Sequence, residues 1–252
     1  MKTAIVIPAR YGSTRLPGKP LLRETGKYLI EHVYDQARKA RCAQQVIVAT
    51  DDPRIEAAVQ SFGGTVVPTG RYHPSGTDRV AEVARQLDAD VIVNLQGDEP
   101  LIDPESLDTV AELLTWHRQV DMATLASPIR SLEQWRNPNC VKVVVGDCGQ
   151  ALYFSRSPVP HARDGEPDFF RQPFQFFQHL GLYAYRRSFL LKFPGLLPSP
   201  LEKLEQLEQL RVLALGKPIQ VGVVRDHAVG VDTPDDYRWF VGEYRRRQHL
   251  AA

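Results

Sequence analysis

Arg10, Arg15 and Lys19 fall within one short segment, IPARYGSTRLPGKP at residues 7–20, punctuated by Gly12, Pro17, Gly18 and Pro20. Prolines and glycines at this density exclude a helix and suit a strand poorly, so the segment reads as a loop. Three long cations among backbone amides that glycine leaves accessible are what a polyphosphate needs: charge, donors and close approach. The plainer alternative is a solvated basic loop. Placement favours phosphate, because the apolar run TAIVI at residues 3–7 precedes the loop and reads as a buried strand. Ligands of open α/β sheets bind beyond the C-terminal ends of such strands. The loop is no Walker A motif, since Gly12 and Gly18 have five residues between them and Pro20 follows Lys19. No GxGxxG is present either.

Carboxylates appear in two matching places. NLQGDEP at residues 94–100 puts Gln96, Asp98 and Glu99 just past another apolar run, and GVDTPDD at 230–236 offers Asp232. Two carboxylates facing a cationic loop make sense if Mg²⁺ bridges them to phosphate oxygens. The competing reading is helix capping, and for Asp232 the neighbouring Thr233 can take the cap instead. The polar loop RYHPSGTDR at 71–79 supplies Ser75, Gly76 and Thr77 for a base edge or ribose, and Arg71 and Arg79 for phosphate. Ser and Thr before a helix are also ordinary caps. Arg156, His179 and Tyr183 suit a sugar acid, the arginine for a carboxylate and the other two for hydroxyls. Glu208 falls on the apolar face of an expected helix at 201–215, beside Leu201, Leu204 and Leu207. There it serves either a sugar hydroxyl or an intrahelical pair with Arg211.

These residues need a scaffold that brings loop positions together. Strands are expected at 3–7, 45–50, 65–68 and 90–96, with helices at 28–41, 53–61 and 78–87 between them. That alternation implies an α/β fold with a mostly parallel sheet flanked by helices. In the second half, 141–146 and 151–155 form an expected hairpin, 179–185 and 219–224 are strands, and a final helix begins near Thr233. Ser199-Pro200-Leu201-Glu202 is a capping box that opens the helix carrying Glu208. The segment 157–178, with Phe169, Phe170, Phe174, Phe176 and Phe177, lacks a period and reads as a lid or a homodimer contact.

The chain of 252 residues is long enough for a sizeable core, and its net charge of +1 argues against nucleic acid as the partner. No apolar run has the length of a membrane span, and the start MKTAIVIPAR is interrupted too soon for a signal peptide. Three cysteines without CxxC spacing read as reduced thiols, and the expected compartment is the cytoplasm.

Taken in order, IPARYGSTRLPGKPL, IVATDD, HPSGTDRVAEV, VNLQGDEP, ALYFSR, HLGLYAYR, SPLEKLEQLEQLRVL and GVDTPDD closely resemble the 3-deoxy-manno-octulosonate (Kdo) cytidylyltransferases, or CMP-Kdo synthetases, from about residue 3 to 240. Sialic acid cytidylyltransferases share the basic loop and QGDEP more loosely, whereas LEQLR with GVDTP points to the Kdo branch. The resemblance implies a nucleotide-diphospho-sugar transferase-like fold: one domain over 1–252 with a small dimerisation or lid subdomain at about 150–190, assembled as a homodimer. It implies Mg²⁺-dependent attack of the Kdo anomeric hydroxyl on the α-phosphate of CTP. Carried onto matching positions, Arg10, Arg15 and Lys19 hold the triphosphate, and Ser75, Thr77, Arg79 and Gln96 line the cytidine site. Asp98 and Asp232 hold Mg²⁺, and with Lys19 they form the catalytic set. Arg156, His179, Tyr183 and Glu208 bind Kdo, with Arg163 as a lid contact. Asp78 stands where the family commonly has Glu. Direct transfer needs no Ser–His or Cys–His nucleophile; it needs positioned reactants and neutralised charge. The rival readings are a cytidylyltransferase for amino-substituted Kdo or another sialic-like acid, a metal-dependent glycosyltransferase, and a non-catalytic nucleotide-binding regulator.

Overall fold

The run TAIVIPA forms β1 (Thr3–Ala9), buried along almost its whole length. A central strand of a parallel sheet is covered on both faces, which is why its apolar run is continuous rather than alternating. The structure, a computed structural model, describes all residues except Thr14, Asp164, Phe170, Pro173, Phe174, 226–229 and Ala252, and only the backbone of 249–251. The chain gathers into two compact units, residues 1–108 with 228–252, and residues 109–227.

In the first unit, α1 (Leu29–Ala37) leads to β2 (Ala43–Thr50), and α2 (Pro53–Ser61) leads to β3 (Val66–Pro68). Asp52 caps α2 as expected, its side chain accepting from the Arg54 amide at 2.9 Å, with Pro53 in the first turn. Next come α3 (Gly76–Ala84), β4 (Val91–Asn94) and α4 (Pro104–Trp116), the last of which carries the chain into the second unit. β1 pairs in parallel with β2 on one flank and β4 on the other, and β3 pairs in parallel with β2.

The second unit is built on β5 (Met122–Pro128), a strand missing from the sequence-based expectation. Helix α5 (Leu132–Arg136) precedes the hairpin of β6 (Lys142–Val145) and β7 (Ala151–Ser155). The turn before β7 includes Gly149 at φ +71°, in the region that favours glycine. β8 (Phe177–Arg186) runs antiparallel to both β5 and β6. After α6 (Arg187–Leu190), α7 (Pro200–Glu205) and α8 (Leu210–Ala214), β9 (Ile219–Val223) pairs in parallel with β5. Helix α9 (Pro234–Ala251) then returns to the first unit.

Two expectations change here. The single helix at 201–215 is two helices, broken where Gln206 takes a left-handed φ of +53°. The capping box at Ser199 and Glu202 forms, but the Arg156 guanidinium takes the Glu205 carbonyl at 2.7 Å and the Gln206 carbonyl at 3.3 Å. The left-handed Gln206 ends the first helix, and the Arg156 guanidinium satisfies carbonyls left unpaired at that end. Leu204 is 81% exposed while Leu207 is buried, so no common apolar face runs along 201–215. The aromatics of 157–178 also differ from expectation. Phe176 and Phe177 are buried within their own unit, and Phe169 packs on the cluster of Ile129, Trp135 and Phe176. Phe170 and Phe174 lie outside the described residues. The expected subdomain at about 150–190 falls inside the second unit.

Candidate active site

Because β2 and β4 lie on opposite flanks of β1, the winding of the first unit reverses at β1, where open α/β sheets keep their ligand crevices. A cleft of about 490 Å³ is lined there by Arg10, Arg15 and Lys19 from the loop after β1, and by Gln96, Gly97 and Asp98 from the loop after β4. Gly97 permits this approach: a Cβ there would stand 3.0 Å from the Pro8 carbonyl oxygen.

An apolar cluster brings the third wall in. Val231, Tyr237, Phe240 and Val241 bury against Leu29, and Leu16 and Leu101, from the two cleft loops, pack on the same cluster. The Val231 amide donates to the Asp98 carbonyl at 2.8 Å, so Asp98 and Asp232 become neighbours despite their separation in sequence. Thr233 takes the cap of α9, its hydroxyl accepting from the Asp236 amide at 3.2 Å. Asp236 reaches back to accept from the amides of Asp232 at 3.1 Å and Thr233 at 2.8 Å. Capping is therefore complete without the Asp232 side chain, which is left to the cleft.

The two carboxylates converge on one ammonium. Lys19 Nζ donates to Asp98 Oδ2 at 2.7 Å and to Asp232 Oδ1 at 3.1 Å, and an Arg15 guanidinium nitrogen lies 3.2 Å from Asp232 Oδ2. Lys19 is only 12% exposed, whereas Arg10 is exposed. Carboxylates gathered around one small cation suit Mg²⁺, which takes one or two of them and completes its shell with phosphate oxygens and water. Among the described residues, no group of three or more His, Cys, Asp or Glu is arranged to hold a metal. Next to Asp98, burial and the neighbouring carboxylate push the Glu99 carboxyl up to about 8.

On the facing wall, Ser75 and Arg79 line the cleft. Ser75 caps α3, accepting from the Asp78 amide at 3.2 Å and lying 2.6 Å from Asp78 Oδ2. Thr77 does not reach the cleft: it is buried behind this wall, 3.5 Å from Asn94 Nδ2, because the second residue of α3 turns toward β4. Arg79 is buried and held by Asp51 at 3.2 Å and by the Thr69 hydroxyl. Arg71, proposed from sequence for phosphate, is exposed and not part of the cleft lining. The sequence reading passed over His73, which lines the cleft and contacts Glu82. The Gly70 amide donates to that carboxylate at 3.0 Å and holds its pKa low.

The sugar-acid candidates belong to the second unit. His179, on β8, is buried, its Nε2 lying 3.0 Å from the Thr124 hydroxyl. That hydroxyl also faces the carbonyls of Leu182 at 2.8 Å and Leu180 at 3.1 Å. The hydroxyl proton goes to a carbonyl, so Nε2–H donates to the threonine oxygen and Nδ1 is the acceptor. Burial lowers the imidazole pKa to about 3. Tyr183 lies 5.4 Å from His179, ring centre to ring centre, and burial with the Glu208 charge raises its phenol far above the ordinary value. Glu208 sits in the turn between α7 and α8 rather than on a helix face, and Arg211 pairs with Glu202 at 2.5 Å. Arg156 differs most from expectation. Its guanidinium serves three backbone carbonyls, those of Pro138 at 3.0 Å, Glu205 and Gln206, so it braces the turn that carries Glu208. Arg163 is exposed in the irregular segment. Sequence reading also missed Lys142, fully buried, whose ammonium donates to the carbonyls of Asn137, Cys140 and Arg156 at 2.6–2.9 Å.

Fold and cleft together define an α/β protein whose first unit is suited to a polyphosphate. Comparison narrows the class. A family model described as cytidylyltransferase matches residues 4–219. The 3-deoxy-manno-octulosonate cytidylyltransferase of Geobacter metallireducens is 49% identical over 98% of this chain and all of that protein. The protein of the same name from Rhodopirellula baltica is 50% identical over 95% of this chain and 97% of its own length. A solved structure of CMP:2-keto-3-deoxy-manno-octonic acid synthetase complexed with CTP superposes with a TM-score of 0.92 at 43% identity, covering 98% of this chain and all of that one. The chain belongs to the 3-deoxy-manno-octulosonate cytidylyltransferase family, and the expected mostly parallel sheet flanked by helices is the fold it has.

Proposed function

We propose that this chain transfers CMP from CTP to the anomeric hydroxyl of Kdo, giving CMP-Kdo and pyrophosphate as a supply of activated sugar for lipopolysaccharide assembly. The observation that supports it most is the convergence of Asp98 and Asp232 on Lys19 at the end of β1, beside Arg15. Lys19, Arg15 and Arg10 would bind the triphosphate, and Ser75, Arg79 and Gln96 would orient the nucleoside. Asp98 and Asp232 would hold Mg²⁺, which when bound neutralises phosphate charge and orders the attacking and leaving oxygens. Lys19 already sits between these carboxylates, so its ammonium is placed to stabilise charge that develops as pyrophosphate departs. In the second unit, Tyr183, Glu208 and the Nδ1 atom of His179 would hydrogen-bond sugar hydroxyls. A cytoplasmic location is part of the proposal; no helix among the described residues is long and apolar enough to cross a membrane. A homodimer is part of the proposal; Leu152, Leu197 and Leu204 are exposed apolar side chains of the second unit, and light scattering tests it.

Pyrophosphate release tests the reaction. CTP with Kdo and Mg²⁺ should give rapid release, and UTP or simple sugars should give little. Faster release with an amino-substituted Kdo would move the acceptor assignment to that sugar. No release with any sugar acid would overturn the proposal.

A further inference from the structure

The basic loop is pinned by a contact that the proposed chemistry leaves unexplained. Gly18 has φ +66°, and a Cβ there would meet the Tyr11 ring and hydroxyl at 3.2–3.3 Å, so the ring lies directly on the glycine. The Gly18 amide donates to the Tyr11 carbonyl at 3.2 Å, closing the loop one residue before Lys19. On the ring itself lies Arg54 of α2, its guanidinium carbon 3.3 Å from the ring centre. Arg54 is in turn held by both oxygens of Asp52, at 2.9 and 2.6 Å. Asp52 is fixed as the cap of α2, and its own amide donates to Thr50 Oγ1 at 3.2 Å at the end of β2. An unbroken stack therefore runs from the end of β2 through Asp52, Arg54 and Tyr11 to Gly18, whose neighbour is Lys19. The cation and the ring are attracted by charge against the π-face, and the bidentate carboxylate fixes the plane of the guanidinium.

We propose that Tyr11 and Arg54 are positioning residues for the triphosphate: the stack clamps the loop so that Lys19 reaches the Asp98–Asp232 pair. This rests on the reading that the loop holds the triphosphate of CTP. Neither residue needs to touch the nucleotide; the clamp acts through the position of Gly18 and Lys19.

The test uses the full chain with Arg54→Met, Arg54→Lys, Tyr11→Phe and Tyr11→Leu. Hydrogen exchange over residues 10–20 reads the clamp itself, and calorimetric titration with CTP and with CMP reads its consequence. Arg54→Met and Tyr11→Leu should speed exchange in the loop. They should weaken CTP about two- to fivefold, the range for an exposed cation–π contact, while CMP affinity holds. Arg54→Lys and Tyr11→Phe should recover most of both effects, and Arg54→Met should add nothing in a Tyr11→Leu background. Unchanged loop exchange would overturn the clamp whatever the enzyme's reaction. Faster exchange with CTP affinity unmoved would defeat the positioning role and leave the phosphate reading to the Lys19→Ala test. Equal weakening of CTP and CMP would mark a general loss of structure and also defeat it.

Discussion

The cleft of the first unit and the sugar-acid candidates of the second are built on opposite electrostatic principles. In the first, full charges face one another: Lys19 between Asp98 and Asp232, with Arg15 alongside. In the second, apart from the Glu208 carboxylate and the exposed Arg163, the groups are neutral or already engaged. His179 is uncharged, Tyr183 keeps its proton, and Arg156 serves backbone carbonyls. On the proposed reading, a highly charged substrate would be met by charges that the protein keeps satisfied with one another until it arrives, and a polyhydroxylated substrate by dipoles whose directions are fixed by packing.

The sharpest way to break this contrast is to remove charge from the first unit. Asp98→Asn and Asp232→Asn should each lower kcat by roughly 10²–10³, the scale for losing one preorganised electrostatic contact, measured as pyrophosphate release at saturating Mg²⁺. Near wild-type turnover in both would falsify the metal assignment. Lys19→Ala should lower turnover by about tenfold or more while CMP affinity barely moves, because CMP lacks the β- and γ-phosphates. An equal fall in both would make Lys19 a uniform binder. If Asp98 and Asp232 hold the metal as proposed, a divalent ion without nucleotide would compete with Lys19 for their oxygens, and Lys19→Met should bind Mn²⁺ more tightly than wild type, as read by paramagnetic resonance.

The same contrast explains what could be read from the sequence. Arg10, Arg15, Lys19, Asp98 and Asp232 stand out because charged residues among glycines and prolines past apolar runs have few structural reasons to be there. Thr233 beside Asp232 offered α9 a second candidate cap, and it is the one that forms. The second unit was far less legible. The strand β5 reads MATLASP, with small residues and little β-branching, and so carries a weak strand signal. The break at Gln206 is capped by Arg156, which follows β7, and periodicity within 201–215 contains no trace of that partner. Lys142 is fully buried because the carbonyls of Asn137 and Cys140, the two ends of one turn, and that of Arg156 meet on its ammonium, and a lysine in an apolar strand run gives no sign of that. The burial of Thr77 was illegible for a related reason, since a one-residue step along α3 turns a side chain from the cleft toward the core.

A smaller effect is expected from the second unit, and it sharpens the comparison. Glu208→Ala should raise the acceptor KM about tenfold, the cost of removing one partner from a partly buried, hydrogen-bonded charge, with little change in the CTP KM. Arg156→Ala should move the same constant by releasing the turn that carries Glu208. The two changes should therefore be strongly non-additive, the double variant resembling the worse single one. Titrating acceptor at saturating CTP, then CTP at saturating acceptor, measures both constants. Additive losses would mean that Arg156 leaves its carbonyls and meets the sugar carboxylate itself.

The smallest effect concerns pH and needs no substrate. Burial holds the His179 imidazole at about 3, below its ordinary value of 6.5. Between those two values the unfolded chain binds a proton at this position that the folded chain does not. Stability must therefore rise with pH across that window and level off above about 6.5. The sign is fixed by the depressed pKa: a histidine buried without a charge costs nothing at neutral pH and penalises the fold in acid. His32 lies near 4 for the same first reason, burial, so wild type should show the combined slope. Replacing His179 with Gln keeps a polar amide near the Thr124 hydroxyl and removes the titration. Its melting temperature should vary less between pH about 4 and 6.5 than that of wild type, even where its value at pH 7.5 is lower. The pH dependence of kcat between 6 and 9 should carry no inflection from this residue, because it is already neutral throughout. If instead His179→Gln leaves the slope unchanged and removes an inflection near neutrality, the imidazole titrates in the working enzyme. The second unit would then add a titrating charge to that of Glu208, and the contrast drawn between the two units would fail.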